Sequence, residues 1–276
     1  MATGAATVAE IGTGGPNEAG DGHGAILEAR NVVKRFGGVA AVDGVSLSVG
    51  RGEIVGLIGP NGAGKTTMFD LIAGLHRPTA GSVLVEGRAV EGEPANRRIA
   101  TGLGRTFQIP RPFPDMTLVE NVMTAAQGHL GERILPNWFA GRRVAAAERE
   151  TYDRTMALLE FVSLAHLADE PARVLSGGQR KLLEIARVLM ADPKIILLDE
   201  PAAGVNPTLL EVIIDRIVAI NGRGVTFLVI EHNMDMVARL CGRVLVMASG
   251  RVLAEGRPEE VARDRRVVEA YLGGAA

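Results

Sequence analysis

Gly59-Pro60-Asn61-Gly62-Ala63-Gly64-Lys65-Thr66-Thr67 decides the fold of this 276-residue chain. It fits G-x-x-x-x-G-K-[ST], with Gly59, Gly64, Lys65 and Thr66 on the defining positions. Glycines let consecutive backbone N–H groups turn inward around a triphosphate, where side chains would block the approach. Lys65 then reaches the β- and γ-phosphates, and the Thr66 hydroxyl ligates Mg²⁺. The preceding run Ile54-Val55-Gly56-Leu57-Ile58 is short, branched and apolar, which predicts a buried parallel strand. A helix is predicted over 65–75, so a phosphate would meet a helix N-terminus, where free N–H groups and the macrodipole favour an anion.

A second strand, Ile195-Ile196-Leu197-Leu198, delivers Asp199 and Glu200 to the C-terminal edge of a sheet, where open α/β folds bind ligands. Behind a phosphate loop, Asp199 is expected to hold Mg²⁺ through its water shell, and Glu200 to orient or deprotonate an attacking water. About a hundred residues after the loop, Leu175-Ser176-Gly177-Gly178-Gln179 precedes a helix expected over 179–190.

With these residues the chain resembles the nucleotide-binding subunits of ATP-binding cassette (ABC) transporters, from about Leu27 to Leu272. Residues 175–179 match the family's signature sequence. Gln108 matches its Gln loop, an Mg²⁺ contact, and His232 its switch histidine, a γ-phosphate contact; Phe36 stands where an aromatic ring stacks on adenine. His232 also fits the plain end of a strand, Gln108 an ordinary polar loop residue, and Phe36 simple packing on the core. The resemblance implies two subunits sandwiching two ATP molecules. Each nucleotide is held by one partner's loop, Gly59 to Thr67, and by the other's Ser176, Gly177, Gly178 and Gln179.

Finer features resemble the branched-chain amino acid importers, and within them the larger of two different ATPase subunits. These are Arg35-Phe36-Gly37-Gly38, Arg105-Thr106-Phe107-Gln108, Pro201-Ala202-Ala203-Gly204-Val205-Asn206-Pro207, Ile230-Glu231-His232-Asn233-Met234 and Ala270-Tyr271-Leu272-Gly273. Asn206 replaces the family's common Asp, and Val205 the subfamily's usual Leu.

The expected fold is α/β: a P-loop NTPase (RecA-like) core with a small antiparallel β-subdomain and an inserted helical subdomain. Val45 to Val49 alternates with period two and Ser82 to Glu86 reads as a further strand, which supplies the antiparallel part. Strand signals vanish between Gln108 and Leu175, where 117–126 and 143–165 have helical periodicity; the subdomain is placed at about 109–175. Elsewhere 208–220 and 234–240 read as helices and 225–230 as a strand. Residues 1–24 are rich in Gly, Ala and Thr and are expected to be a disordered tail before an ATPase domain at 25–276.

Thirty basic against 32 acidic residues leave a net charge of −2, with no global pull toward nucleic acid or anionic lipid. No apolar run approaches the roughly 20 residues that span a bilayer. Cys241 is the single cysteine, which excludes an internal disulfide and reads as a small core residue at a helix end. His23, His76, His129 and His166 have no metal-ligand spacing and read as surface or capping residues.

The resemblance implies a peripheral ATPase on the cytoplasmic face of the membrane, using ATP and Mg²⁺. Its partners are a second ATPase subunit, transmembrane permease subunits and, indirectly, a solute-binding protein, with no nucleic acid. Branched-chain amino acids are the expected solutes. Urea or short amides, and a lipopolysaccharide export ATPase, are the alternatives within the family. A soluble ABC ATPase on ribosomes or DNA is the alternative of another class; such proteins usually carry two cassettes in one chain or a long coiled-coil insertion, neither of which this sequence shows, and a basic stripe would be expected of them. Trp138 and Phe139 fit either a membrane-side contact or packing on their own helices.

Overall fold

The structure, a computed structural model, describes residues 24–106, 110–127 and 141–273. The expectations for the N-terminal tail, Gln108, Trp138 and Phe139 lie outside the described residues. In chain order the strands are β1 Ala25–Phe36, β2 Val39–Gly50, β3 Ile54–Ile58, β4 Ala80–Val85, β5 Arg88–Ala89, β6 Leu103–Arg105, β7 Ile195–Asp199, β8 Thr226–Ile230, β9 Arg243–Ala248 and β10 Arg251–Gly256. The helices are α1 Lys65–Ala73, α2 Ala95–Arg98, α3 Leu118–Met123, α4 Gly141–Phe161, α5 Gly177–Leu189, α6 Pro207–Asn221, α7 Met234–Leu240, α8 Pro258–Val261 and α9 Arg265–Gly273.

Two sheets form. One is antiparallel in the order β2-β1-β4-β5; the other has six strands in the order β10-β9-β3-β8-β7-β6. From β9 to β6 every neighbour in the larger sheet is parallel, and β10 closes one edge antiparallel. The apolar runs that read as buried strands are buried on both faces, and their period of two divides them between two cores. Ile196, Leu198, Phe227 and Val229 pack with α3 to α7 on one side. Ile195, Leu197, Leu228 and Ile230 face α1 and the antiparallel sheet on the other.

Between β6 and β7 the described residues hold only helices, short 3₁₀ turns and one isolated bridge, Thr117 to Pro171. α3 starts in a capping box, the Thr117 hydroxyl accepting from Glu120 N–H at 3.1 Å and the Glu120 carboxylate from Thr117 N–H at 2.7 Å. α1 stops at Gly74, which caps it in the left-handed region at φ 82°. Arg98 reinforces that end. Its fully buried guanidinium donates to Leu71 O at 2.7 Å and Ile72 O at 2.5 Å, a positive charge on a helix C-terminus. Cys241 is buried at the end of α7, and burial pushes its thiol up to about 12.

The parallel order brings the ends of β3, β6, β7 and β8 to one edge. Gly59, directly after β3, has φ 144°, and a Cβ there would overlap the Met247 carbonyl oxygen of the neighbouring strand β9. Only glycine meets both conditions. Gly59→Ala is expected to destabilise the chain by about 2–4 kcal/mol, from backbone strain plus overpacking. A thermal melt should show it as a fall of several degrees, and an unchanged midpoint would contradict the close approach.

Candidate nucleotide site at the sheet edge

The loop between β3 and α1 turns through Gly59, Gly62 at φ 79° and Gly64 at φ 97°, the last being the N-cap of α1. A Cβ on Gly64 would strike the Ala41 carbonyl oxygen, which fixes the loop against β2. Lys65 is 6% exposed, and its ammonium donates to Gly59 O at 2.7 Å and Pro60 O at 2.9 Å. Burial holds that ammonium below its usual range, while Glu200 and Asp199 pull it back up. The Thr66 side chain stands exposed at the first turn of α1.

Asp199 ends β7 at 4% exposure, and burial raises its carboxyl above the usual range against the opposing pull of Arg105. Arg105, at the end of β6, spans two elements: its guanidinium lies 2.7 Å from Asp70 of α1 and 3.5 Å from Asp199. Its neighbour Thr106 places a hydroxyl 3.3 Å from Asp199 N–H, which donates to it. Among the described residues no three His, Cys, Asp or Glu side chains cluster as a metal cage. A hydroxyl and one buried carboxylate fit a hard cation that keeps waters and takes its other oxygens from phosphates, the habit of Mg²⁺.

Glu200 has a left-handed backbone at φ 49°, uncommon for a side chain with a Cβ. Hydrogen bonds hold it there, among them one from Ala203 N–H to the Glu200 carbonyl at 3.1 Å. The Glu200 N–H donates to Ile230 O at 2.9 Å, and its carbonyl also accepts from the Lys181 ammonium of α5. The resulting turn aims the carboxylate at His232, with Glu200 Oε1 3.0 Å from His232 Nε2. His232 is the second residue after β8 and remains 40% exposed, whereas the Glu200 side chain is 19% exposed. The pair is therefore open to a ligand from the side of the imidazole.

Ser176 caps α5: Gln179 N–H donates to Ser176 Oγ at 3.3 Å and Ser176 N–H to Gln179 Oε1 at 2.9 Å. The helix thus begins at Gly177, two residues before the start read from sequence, because the cap fixes its first turn. A Cβ on Gly178 would overlap Leu209 Cδ2, so α5 and α6 start side by side. Ser176 and Gln179 line an open groove with Asn206, Thr208, Leu209 and Val212; no residue of the phosphate loop lines it. Asn206 is itself a cap, accepting from Leu209 N–H at 2.9 Å, a duty an Asp would also perform.

Phe36 ends β1 with its ring 46% exposed. His76 meets the ring edge-on at 5.4 Å, and the Lys34 ammonium lies 5.0 Å from its centroid. The ring is presented to solvent rather than buried, which leaves a face for stacking. His76, read from sequence as a surface or capping residue, is a neighbour of that ring.

The structure therefore gathers the phosphate loop, Asp199, Glu200 and His232 at one edge and sets Ser176 to Gln179 apart from them. Sequence reading assigned no role to Arg105, Lys181 or Glu231, which connect these parts. Only the position of Arg105 and Glu231 inside quoted subfamily stretches pointed to them.

A family model described as ABC transporter matches residues 42–203, and one described as branched-chain amino acid ATP-binding cassette transporter matches residues 251–276. The chain is 42% identical over 248 residues to a probable branched-chain amino acid transport ATP-binding protein, LivG, of Archaeoglobus fulgidus, covering 90% of this chain and 95% of that one. It is 40% identical over 251 residues to the high-affinity branched-chain amino acid transport ATP-binding protein BraF of Pseudomonas aeruginosa, covering 91% and 98%. A solved nucleotide-free cassette from an ABC transporter superposes with a TM-score of 0.79 at 39% identity, covering 90% and 98%. A dimeric cassette in a post-hydrolysis state with ADP and phosphate superposes at 0.70 with 26% identity, covering 84% and 98%.

Proposed function

Because this chain belongs to the ATP-binding cassette family of ABC transporters, we propose that it binds and hydrolyses ATP to energise a branched-chain amino acid importer. The observation that carries the hydrolytic part is the Glu200 to His232 contact of 3.0 Å beside a phosphate loop. The solute class rests on the relatives named for branched-chain amino acid transport and on the C-terminal match.

In this reading Gly59, Pro60, Asn61, Gly62, Ala63, Gly64, Lys65, Thr66 and Thr67 hold the triphosphate, and Phe36 stacks on adenine. Thr66, Asp199 and Gln108 would hold Mg²⁺, which would supply positive charge against the triphosphate. Glu200 orients a water in line with the γ-phosphorus and draws its proton. The water oxygen bonds to phosphorus, the bond to the bridging oxygen breaks, and ADP leaves with the electron pair. His232 donates to the γ-phosphate and holds Glu200 in place. Ser176, Gly177, Gly178 and Gln179 serve the nucleotide of a second cassette, in keeping with the separation of their groove from the chain's own phosphate loop and with the dimeric assembly of one structural neighbour.

The helical subdomain, about 109–175, meets the core at a cleft lined by Gly104, Arg105, Arg111, Thr124, Glu184 and Arg187. We assign that cleft to the permease subunits. Among the described residues no helix is long and apolar enough to cross a membrane; the likeness to transport ATP-binding subunits supports a peripheral place at the membrane's cytoplasmic face, through those partners. Co-purification in mild detergent, followed by reconstitution with the associated solute-binding protein, tests the reading. Leucine, isoleucine or valine should stimulate ATP hydrolysis several-fold. Stimulation by urea or acetamide alone would overturn the solute class.

A further inference from the structure

Glu231 is 3% exposed, yet it is a carboxylate beside the proposed catalytic pair. A buried carboxylate persists only where hydrogen bonds replace its water. Here three backbone N–H groups do so, and they come from two loops. Ala202 N–H donates to Oε1 at 2.7 Å; His232 N–H and Asn233 N–H donate to Oε2 at 2.7 and 2.8 Å. Each oxygen therefore serves a different loop, one after Glu200 and one carrying His232.

The surroundings fix this link at both ends. The Lys181 ammonium, buried in α5 behind Ser176, supplies the facing positive charge and donates to the Glu200 carbonyl. Past Ala202 the chain emerges at Ala203, Gly204 and Asn206, all exposed, and Asn206 lines the groove of Ser176. A surface pressing on 203–206 thus bears on a segment whose next anchored amide is bonded to the same carboxylate as the backbone of His232. Neither loop can shift alone without leaving a buried oxygen unpaired.

We propose that Glu231 is a positioning residue that ties His232 to the partner-facing loop after Glu200, so that the histidine takes its place only when that loop is seated. The inference rests on the assignment of His232 given above. It differs from a general stabilising role in one respect: Glu231 acts on turnover through His232 and leaves nucleotide binding alone.

Glu231→Gln keeps the size of the side chain but offers one acceptor oxygen in place of two, and an NH₂ group faces one of the loops. In the full chain, ATP affinity by calorimetry is expected to stay within about two-fold and the maximal rate to fall about 10-fold or more. Added to His232→Ala, the same change should cost nothing further, because its effect passes through the missing imidazole. A merely structural role multiplies the two losses. Multiplied losses, a parallel fall in ATP affinity, or an unchanged rate in Glu231→Gln would each overturn the inference. His232→Ala turning over at the wild-type rate would overturn the histidine's assignment and the inference together, whereas multiplied losses with His232→Ala impaired overturn the inference alone. Should Glu231→Gln not fold, hydrogen exchange of the wild-type chain decides. The Ala202, His232 and Asn233 amides should exchange through one shared opening, and Ala202 exchanging independently of the other two would overturn the link.

Discussion

Glu200→Gln is expected to bind ATP as the wild type does and to hydrolyse it about 100- to 10,000-fold more slowly, the range lost with a positioned general base. The amide preserves shape, and its backbone strain at φ 49° is the same as for Glu, so the turn held by Ile230 O and Lys181 survives. What disappears is the negative oxygen next to His232 Nε2. With closure intact and hydrolysis stalled, ATP should hold the chain in a dimer that elutes earlier on size exclusion. Single-turnover hydrolysis at the wild-type rate, with no ATP-dependent shift in elution, would exclude both the role of Glu200 and the closure.

Lys65→Ala is expected to lose ATP affinity by about 100-fold or more. Charge-assisted bonds to phosphate contribute about 1.5–3 kcal/mol each, and the ammonium is placed to make more than one. Sequence alone assigned Lys65 a duty toward the ligand only. The structure adds that the ammonium bridges Gly59 O and Pro60 O of its own loop. Its removal frees two carbonyls at the loop mouth, where water reaches Pro60, so the cost in stability should stay near 1 kcal/mol. Calorimetric titration of a folded variant checks this, and unaltered affinity would remove Lys65 from the site.

Much of the fold was legible because short branched runs, Ile54 to Ile58, Ile195 to Leu198 and Val225 to Ile230, are what a sheet covered on both faces requires. They became β3, β7 and β8, and α7 runs from Met234 to Leu240 as read. The helix ends were less legible, since caps rather than periodicity set them. Ser176 begins α5 early, and Gly74 ends α1 at Ala73, short of the expected 75. The segment read as helical over 117–126 is α3 Leu118–Met123, opened by the Thr117 box.

In the candidate site, the residues that meet at one edge, the phosphate loop, Asp199-Glu200 and His232, are those carried by short contiguous patterns. Residues that act across long separations were not legible. Arg105 reaches Asp70 and Asp199, Arg98 caps α1 from α2, and Glu231 bridges two loops. Each is an ordinary charged residue in sequence, and only tertiary placement turns it into a linker.

The central claim, that Ser176 to Gln179 complete a second chain's nucleotide site, is tested most directly by counting ATP in mixed dimers. Lys65→Ala breaks the phosphate-loop half of a site and Ser176→Arg the signature half, so either homodimer has two damaged sites. In a purified, differently tagged mixed dimer the two lesions fall in one site and the other joins two intact halves. One ATP trapped per closed mixed dimer, against none trapped in either homodimer, is the predicted result. Occupancy no higher than in the homodimers would contradict a shared site.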